Sequence, residues 1–188
     1  MPYRILQFPE SEQPAFVQFW SQQYDYADEQ AYTQNLAVRP LTPDAVRELF
    51  RWKNGGQLSE RKRQSVEQHF VERLGELQDF DDDFDGDFAA AFLDRFKGSG
   101  PIWRIFFLHI HRPERFPIFD QHVFRAMRYI EAGEIAELPF DPDERIRIYN
   151  QKYRPFHDGF GVHQDRAVDK ALWAFGKFLK LHYTFNNP

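Results

Sequence analysis

The chain has 188 residues, 42% hydrophobic and 18% aromatic, with 21 phenylalanines, so one domain or two closely packed lobes with a ring-built core is expected. It contains no cysteine, which excludes disulfides and a disulfide-linked partner, thiolate zinc sites and cysteine-held iron–sulfur clusters. A formal net charge of −5 excludes a globally basic nucleic-acid binder, leaving any anion to be held by a local basic patch.

Residues 1–10 carry no apolar signal-peptide core, and no run approaches the ~18 apolar residues of a membrane span, so a cytoplasmic protein without a membrane partner is expected. Strand character is confined to a hint at residues 3–8. The rest reads as helix. Residues 11–26 form an aromatic-rich helical segment. Thr42-Pro43-Asp44 is a helix start, with Val46, Leu49 and Phe50 as the buried face and Gly55-Gly56 as the stop. Ser59 is placed to cap the next helix, where Val66, Phe70, Leu74 and Leu77 share one side. Its first turn bears Arg61, Lys62 and Arg63, the wrong sign for the helix dipole but tolerable in water or against phosphate.

Residues 76–87 carry acids and no base. Within them Asp81-x-Asp83-x-Asp85-Gly86 matches the opening of a calcium loop, but the twelfth position is Phe92 where a bidentate Glu is needed. A solvated acidic turn is therefore expected, with no metal site. His109 and His111 point to different faces of a helix and do not share a metal. No cofactor motif is present.

Phe88, Ala91, Phe92 and Phe96 then define a short helix ended by Gly98, and Pro101 starts another with Ile102, Ile105, Phe106 and His109 on one side. Asp120 is placed to cap a helix buried through Val123, Phe124, Met127 and Ile130. Asp143 is placed to cap the next, with Tyr149 and Tyr153 on its face. Residues 155–163 read as an irregular loop, and Val168, Leu172, Phe175 and Leu179 stripe the last helix. Around the Gly98 turn the bases Lys97, Arg104, Arg112, Arg115, Arg125 and Arg128 outnumber Glu114 and Asp120, so this segment is locally basic.

Two short motifs stand together here. Phe96-Lys97-Gly98-Ser99-Gly100-Pro101-Ile102 is a Gly-x-Gly turn opening a helix, and Phe119-Asp120-Gln121-His122-Val123-Phe124-Arg125 follows, with Asp120 eighteen residues after Ile102. Over these roughly thirty residues the chain resembles the helix-hairpin-helix DNA glycosylase superfamily. There a Gly-hydrophobic-Gly hairpin holds DNA phosphates and an Asp-x-His-Val-x-Arg element supplies the catalytic carboxylate. Ser99 replaces the hydrophobic residue between the glycines. Ile102 stands where bifunctional members carry a nucleophilic lysine, and the cysteines of the iron–sulfur loop are missing.

The resemblance implies an all-α fold of two helical lobes meeting near residues 98–125, within one domain over 1–188. It implies duplex DNA as partner, with Lys97, Gly98, Ser99, Gly100, Arg104 and Arg125 binding it. It also implies monofunctional hydrolysis of an N-glycosidic bond, with Asp120 stabilising an oxocarbenium-like transition state. From the residues themselves, Asp120 is equally an ordinary N-cap. His122 reads as a capping or packing histidine, and Arg125 and Arg128 as surface or ion-pair residues unless they flank the hairpin. A non-catalytic DNA-binding module and a helical protein-interaction or structural domain are the alternatives.

Overall fold

The structure, a computed structural model, describes residues 12–79, 87–161 and 166–186. The chain is all-α, and no β-strand occurs among the described residues. Two compact units divide it. Tyr26–Pro113 form a central unit, and Met1–Asp25 with Glu114–Pro188 form a terminal unit. The segment at residues 3–8 and the acidic Asp81–Gly86 sequence lie outside the described residues.

In chain order, α1 (Gln13–Ser21) belongs to the terminal unit. The central unit holds α2 (Glu29–Leu36), α3 (Pro43–Lys53), α4 (Glu60–Val66), α5 (Phe88–Arg95) and α6 (Pro101–His111). The terminal unit continues with α7 (Gln121–Ala132), α8 (Pro142–Ile148), α9 (Arg154–Asp158) and α10 (Arg166–Asn186). A π-helical turn, Glu67–Val71, and a 3-10 stretch, Leu74–Asp79, follow α4; a second π turn, Tyr149–Tyr153, joins α8 to α9.

Local chemistry accounts for most of these boundaries. Thr42 Oγ accepts from the Ala45 amide at 3.3 Å and Pro43 occupies the first helical position, so α3 starts where its signal lies. Two expected caps are corrected. Ser59 precedes α4, but its side chain makes no capping bond. The cap of α8 is Asp141, accepting from the Glu144 amide at 2.6 Å, because Pro142 takes the first helical position and leaves Asp143 inside the first turn. The first aromatic segment is helical only over Gln13–Ser21. Helix α2, which carries no clear start signal, begins after Asp28 in the left-handed region at φ 61°.

The core is built from rings. In the central unit Phe50, Phe70, Phe92, Phe96, Phe106 and Phe107 are fully buried. Phe50 stacks on Phe70 at 4.5 Å, and Phe107 meets Phe70 and Phe96 at 4.9 Å each. Such contacts add about 0.5–1.5 kcal/mol per pair beyond area burial, and Val46, Leu49, Ile105, Leu108 and Ile110 fill the space between the rings. In the terminal unit α7 packs along α10 so closely that a Cβ on Gly176 would stand 1.9 Å from the His122 carbonyl oxygen. Glycine is required there by the neighbouring backbone.

Candidate functional site

The Gly-x-Gly turn joins α5 to α6 in the central unit. Asp87 caps α5 by accepting from the Ala90 amide at 3.2 Å, and buried Phe96 ends it. Lys97 and Ser99 then pair across a narrow turn. The two glycines differ in kind. Gly98 has φ +122°, and a Cβ there would stand 2.9 Å from the His69 ring, so both backbone and neighbour demand glycine. Gly100 has an ordinary φ of −61°, and nothing lies within 4 Å of where its Cβ would be. Its carbonyl accepts from the Trp103 and Arg104 amides at 3.0 and 3.1 Å, opening α6.

The charges around this turn are more committed than their number implies. Lys97 is exposed and ion-paired with Asp94. Arg95 and Arg73 converge on Glu76 at 2.6 and 2.7 Å, and these contacts lower the Glu76 pKa to about 2, with the Arg73 hydrogen bond the largest cause. Arg104, expected at the DNA surface, is buried instead. Its Nη1 donates to the Leu93 carbonyl at 2.9 Å, fastening α6 to α5. Arg112 lies over the Phe88 ring and Arg115 over Phe116. Trp103 is half-buried against Phe50 at 5.1 Å. Ser99 Oγ is buried and makes no hydrogen bond among the described residues.

Asp120 belongs to the terminal unit. The preceding Phe116, Pro117, Ile118 and Phe119 are buried, which pins the chain before it turns into α7. Asp120 is half-buried with extended backbone. Its Oδ1 accepts from the His122 and Val123 amides at 2.8 and 3.2 Å. The N-cap role is therefore observed, and it orients one carboxylate oxygen along the helix axis.

Arg125 is the second basic residue that leaves the expected surface. It is 1% exposed; Nη1 donates to the Gly176 carbonyl at 3.0 Å and Nη2 to Glu137 at 2.6 Å. An arginine has no acceptor, so its 3.4 Å contact with His122 Nδ1 requires that nitrogen to be unprotonated. Burial lowers the His122 pKa, and its ring lies 5.1 Å from Trp173, in keeping with a packing histidine. Arg128 pairs with Glu134.

Sequence reasoning missed a buried polar group in the same unit. Residues 155–163 were expected to be irregular, yet Arg154–Asp158 are helical; residues 162–165 lie outside the described residues. The helical run places Tyr149, Tyr153 and His157 four residues apart, all buried. Tyr149 Oη donates to the Pro117 carbonyl at 3.3 Å. His157 Nε2 lies 3.4 Å from Asp169 Oδ1, and Arg166 Nη1 lies 3.6 Å from Asp169 Oδ2. A spacing-four stripe of Tyr, Tyr and His was visible in the sequence but reads as an apolar helix face.

Elsewhere, His109 Nε2 bonds the Tyr32 hydroxyl at 2.6 Å and His111 stacks on Phe92 at 5.5 Å, so the two histidines part company as their spacing requires. No cluster of three or more potential metal ligands occurs among the described residues, and no helix among them is long and apolar enough to cross a membrane. The chain matches no family model, no curated protein and no solved structure.

Proposed function

We propose that the chain is a base-excising hydrolase acting on DNA, similar in plan to the helix-hairpin-helix glycosylases, with Asp120 as the carboxylate beside the sugar. The observation that supports this reading is the order of elements. A helix, a Gly-x-Gly turn and a second helix (α5–α6) are followed by a helix whose capping residue is an aspartate, at the spacing that the resemblance requires.

The chemistry follows from a carboxylate in that position. The C1′–N bond breaks, its electron pair goes to the base nitrogen, and positive charge grows on the sugar. A fixed negative charge lowers the energy of that state, and water then adds to C1′ and releases a proton. Ile102 offers no amine, so no Schiff base forms at that position. The hairpin holds phosphate through backbone amides. Pro101 has no N–H, so this role falls on the turn and on Ile102. The open space in front of Gly100 is compatible with that approach, while Arg104 and Arg125 serve the fold.

Duplexes carrying deaminated, oxidised or alkylated bases, incubated with the parent and with Asp120→Asn, test the reading. Base release by the parent that the variant loses by at least roughly a hundredfold is expected. Release that survives the substitution contradicts it. The internal use of Arg104 and Arg125 favours a second reading, a helical protein-interaction or structural domain. A parent that neither binds duplex DNA at low salt nor releases a base supports that one instead.

A further inference from the structure

Helix α10 has two unlike faces. Val168, Leu172, Phe175 and Leu179 are buried on one. On the other, Arg166, Lys170, Trp173, Lys177 and Lys180 follow one another at alternating spacings of four and three, which keeps all five on one side of the helix. Across residues 166–181 the only acid is Asp169, which is buried and lies 3.6 Å from Arg166. Rings fix the cations in place. Arg166 and Lys170 both lie over the Tyr24 ring at 5.4 Å, and Arg166 Nη2 donates to Tyr24 Oη at 2.9 Å. Lys177 lies over the Trp173 ring at 5.0 Å, and Tyr24 meets Trp173 edge to face at 5.2 Å. Side chains held this way lose less freedom on meeting an anion than loose lysines do. Lys177 also pairs with Asp25 at 2.7 Å, but both are well exposed, so a polyanion displaces that carboxylate at little cost.

The stripe runs past Asp120. Trp173 packs 5.1 Å from the His122 ring, and the His122 amide donates to Asp120 Oδ1 at 2.8 Å. Burial, and then the Arg125 and Lys180 charges, lower the His122 pKa, so Lys180 stands near the same residue. From Arg166 to Lys180 the stripe is roughly 21 Å long, the axial length of about six phosphates of one strand at ~3.4 Å each. We propose that this face of α10 is a docking surface for the sugar–phosphate backbone of duplex DNA, laying a strand alongside Asp120. The choice of duplex DNA as the polyanion rests on the base-excising reading above. Exposed Phe178 and Leu181 beside Lys177 and Lys180 make an anionic membrane the competing occupant. The stripe continues two turns beyond Phe178 to Lys170 and three to Arg166, which favours an extended polyanion over a point of insertion.

Fluorescence anisotropy of an end-labelled, undamaged duplex, titrated with the full chain over a range of salt, tests this. Lys170→Gln/Lys180→Gln is expected to lower affinity at least roughly tenfold at low salt. It also reduces the slope of log affinity against log salt by about 1.8, two phosphates at ~0.9 each. Lys180→Gln alone, at an exposed position, reduces the slope by about 0.9. Lys170→Arg/Lys180→Arg keeps affinity and slope, and Lys152→Gln, which removes an exposed charge outside the stripe, leaves the slope unchanged. Duplex binding that the glutamine variants leave intact, or a loss as large per charge in Lys152→Gln, overturns the proposal, even where base release by the parent upholds the excision reading. A parent that does not bind the duplex at low salt overturns it too. So does capture of the chain by phosphatidylserine vesicles through these lysines without duplex binding. Stripe-dependent duplex binding by a parent that releases no base upholds the docking surface and defeats the excision reading alone.

Discussion

Replacing Gly176 by alanine sets a steric loss against a helix-propensity gain, and the contact between α7 and α10 decides the sign. In an open helix interior the change stabilises by about 1 kcal/mol. Here the added methyl stands 1.9 Å from the His122 carbonyl oxygen and 2.6 Å from its carbon, so two helix backbones must part by more than an ångström. Overpacking of a tight core costs about 1–3 kcal/mol. The separation also stretches the 3.0 Å bond from buried Arg125 to the Gly176 carbonyl, and a charged hydrogen bond lost in the interior costs about 1.5–3 kcal/mol. The net loss is about 2–4 kcal/mol, which lowers Tm by about 5–15 °C for a chain of this size. Urea titration and thermal melting followed by far-UV circular dichroism measure it. A Gly176→Ala protein as stable as the parent, or more stable, refutes the reasoning, because helix propensity would then outweigh the contact.

The two hairpin glycines should separate in the same assay. Gly98→Ala is expected to cost about 1–3 kcal/mol, from its positive φ and the His69 ring, and Gly100→Ala under about 1 kcal/mol; equal losses would contradict the distinction drawn between them. Glu76 gives a pH-dependent case. Its folded pKa, about 2, lies below the ordinary value of 4.5, so its stabilisation is complete above pH 4.5 and is lost as pH falls toward 2. Allowing for its partial exposure, Glu76→Gln should cost about 1–2 kcal/mol at pH 7 and much less near pH 2.5. A difference in urea midpoint that stays constant with pH would exclude the Arg73–Glu76–Arg95 linkage as its source.

Elements set by local signals were legible in the sequence. The Thr42-Pro43 start, the Asp120 cap and the α5–turn–α6 order need only nearby residues, and each stands where its signal lies. The α8 cap was misplaced by two residues because Pro142 competes for the first helical position and hands the cap to Asp141. What depends on distant partners was not legible. Arg104 and Arg125 read as surface bases because charge is visible in a sequence, whereas their acceptors, the Leu93 and Gly176 carbonyls, are backbone atoms with no sequence signature. Gly176 looks like a weak point in a helix until the His122 backbone is placed against it. The Tyr153–His157–Asp169 group was hidden for a related reason: at helical spacing Tyr and His count toward an apolar face, and the pairing with α10 is non-local.

The charge of Asp120 is the centre of the functional proposal, and a cationic sugar mimic tests it without knowledge of the target base. A duplex bearing one pyrrolidine nucleotide places a positive charge where the oxocarbenium ion would develop, whereas a tetrahydrofuran nucleotide has the same shape and no charge. Transition-state mimics bind at least roughly a hundredfold more tightly than ground-state analogues when a site is built for the charge. Binding of both duplexes to the parent and to Asp120→Asn, a substitution that retains a good N-cap, is the measurement. The expected result is a strong pyrrolidine preference in the parent that Asp120→Asn abolishes, with tetrahydrofuran binding unchanged. Equal binding of the two duplexes by the parent, or a preference that survives Asp120→Asn, contradicts the assignment of Asp120.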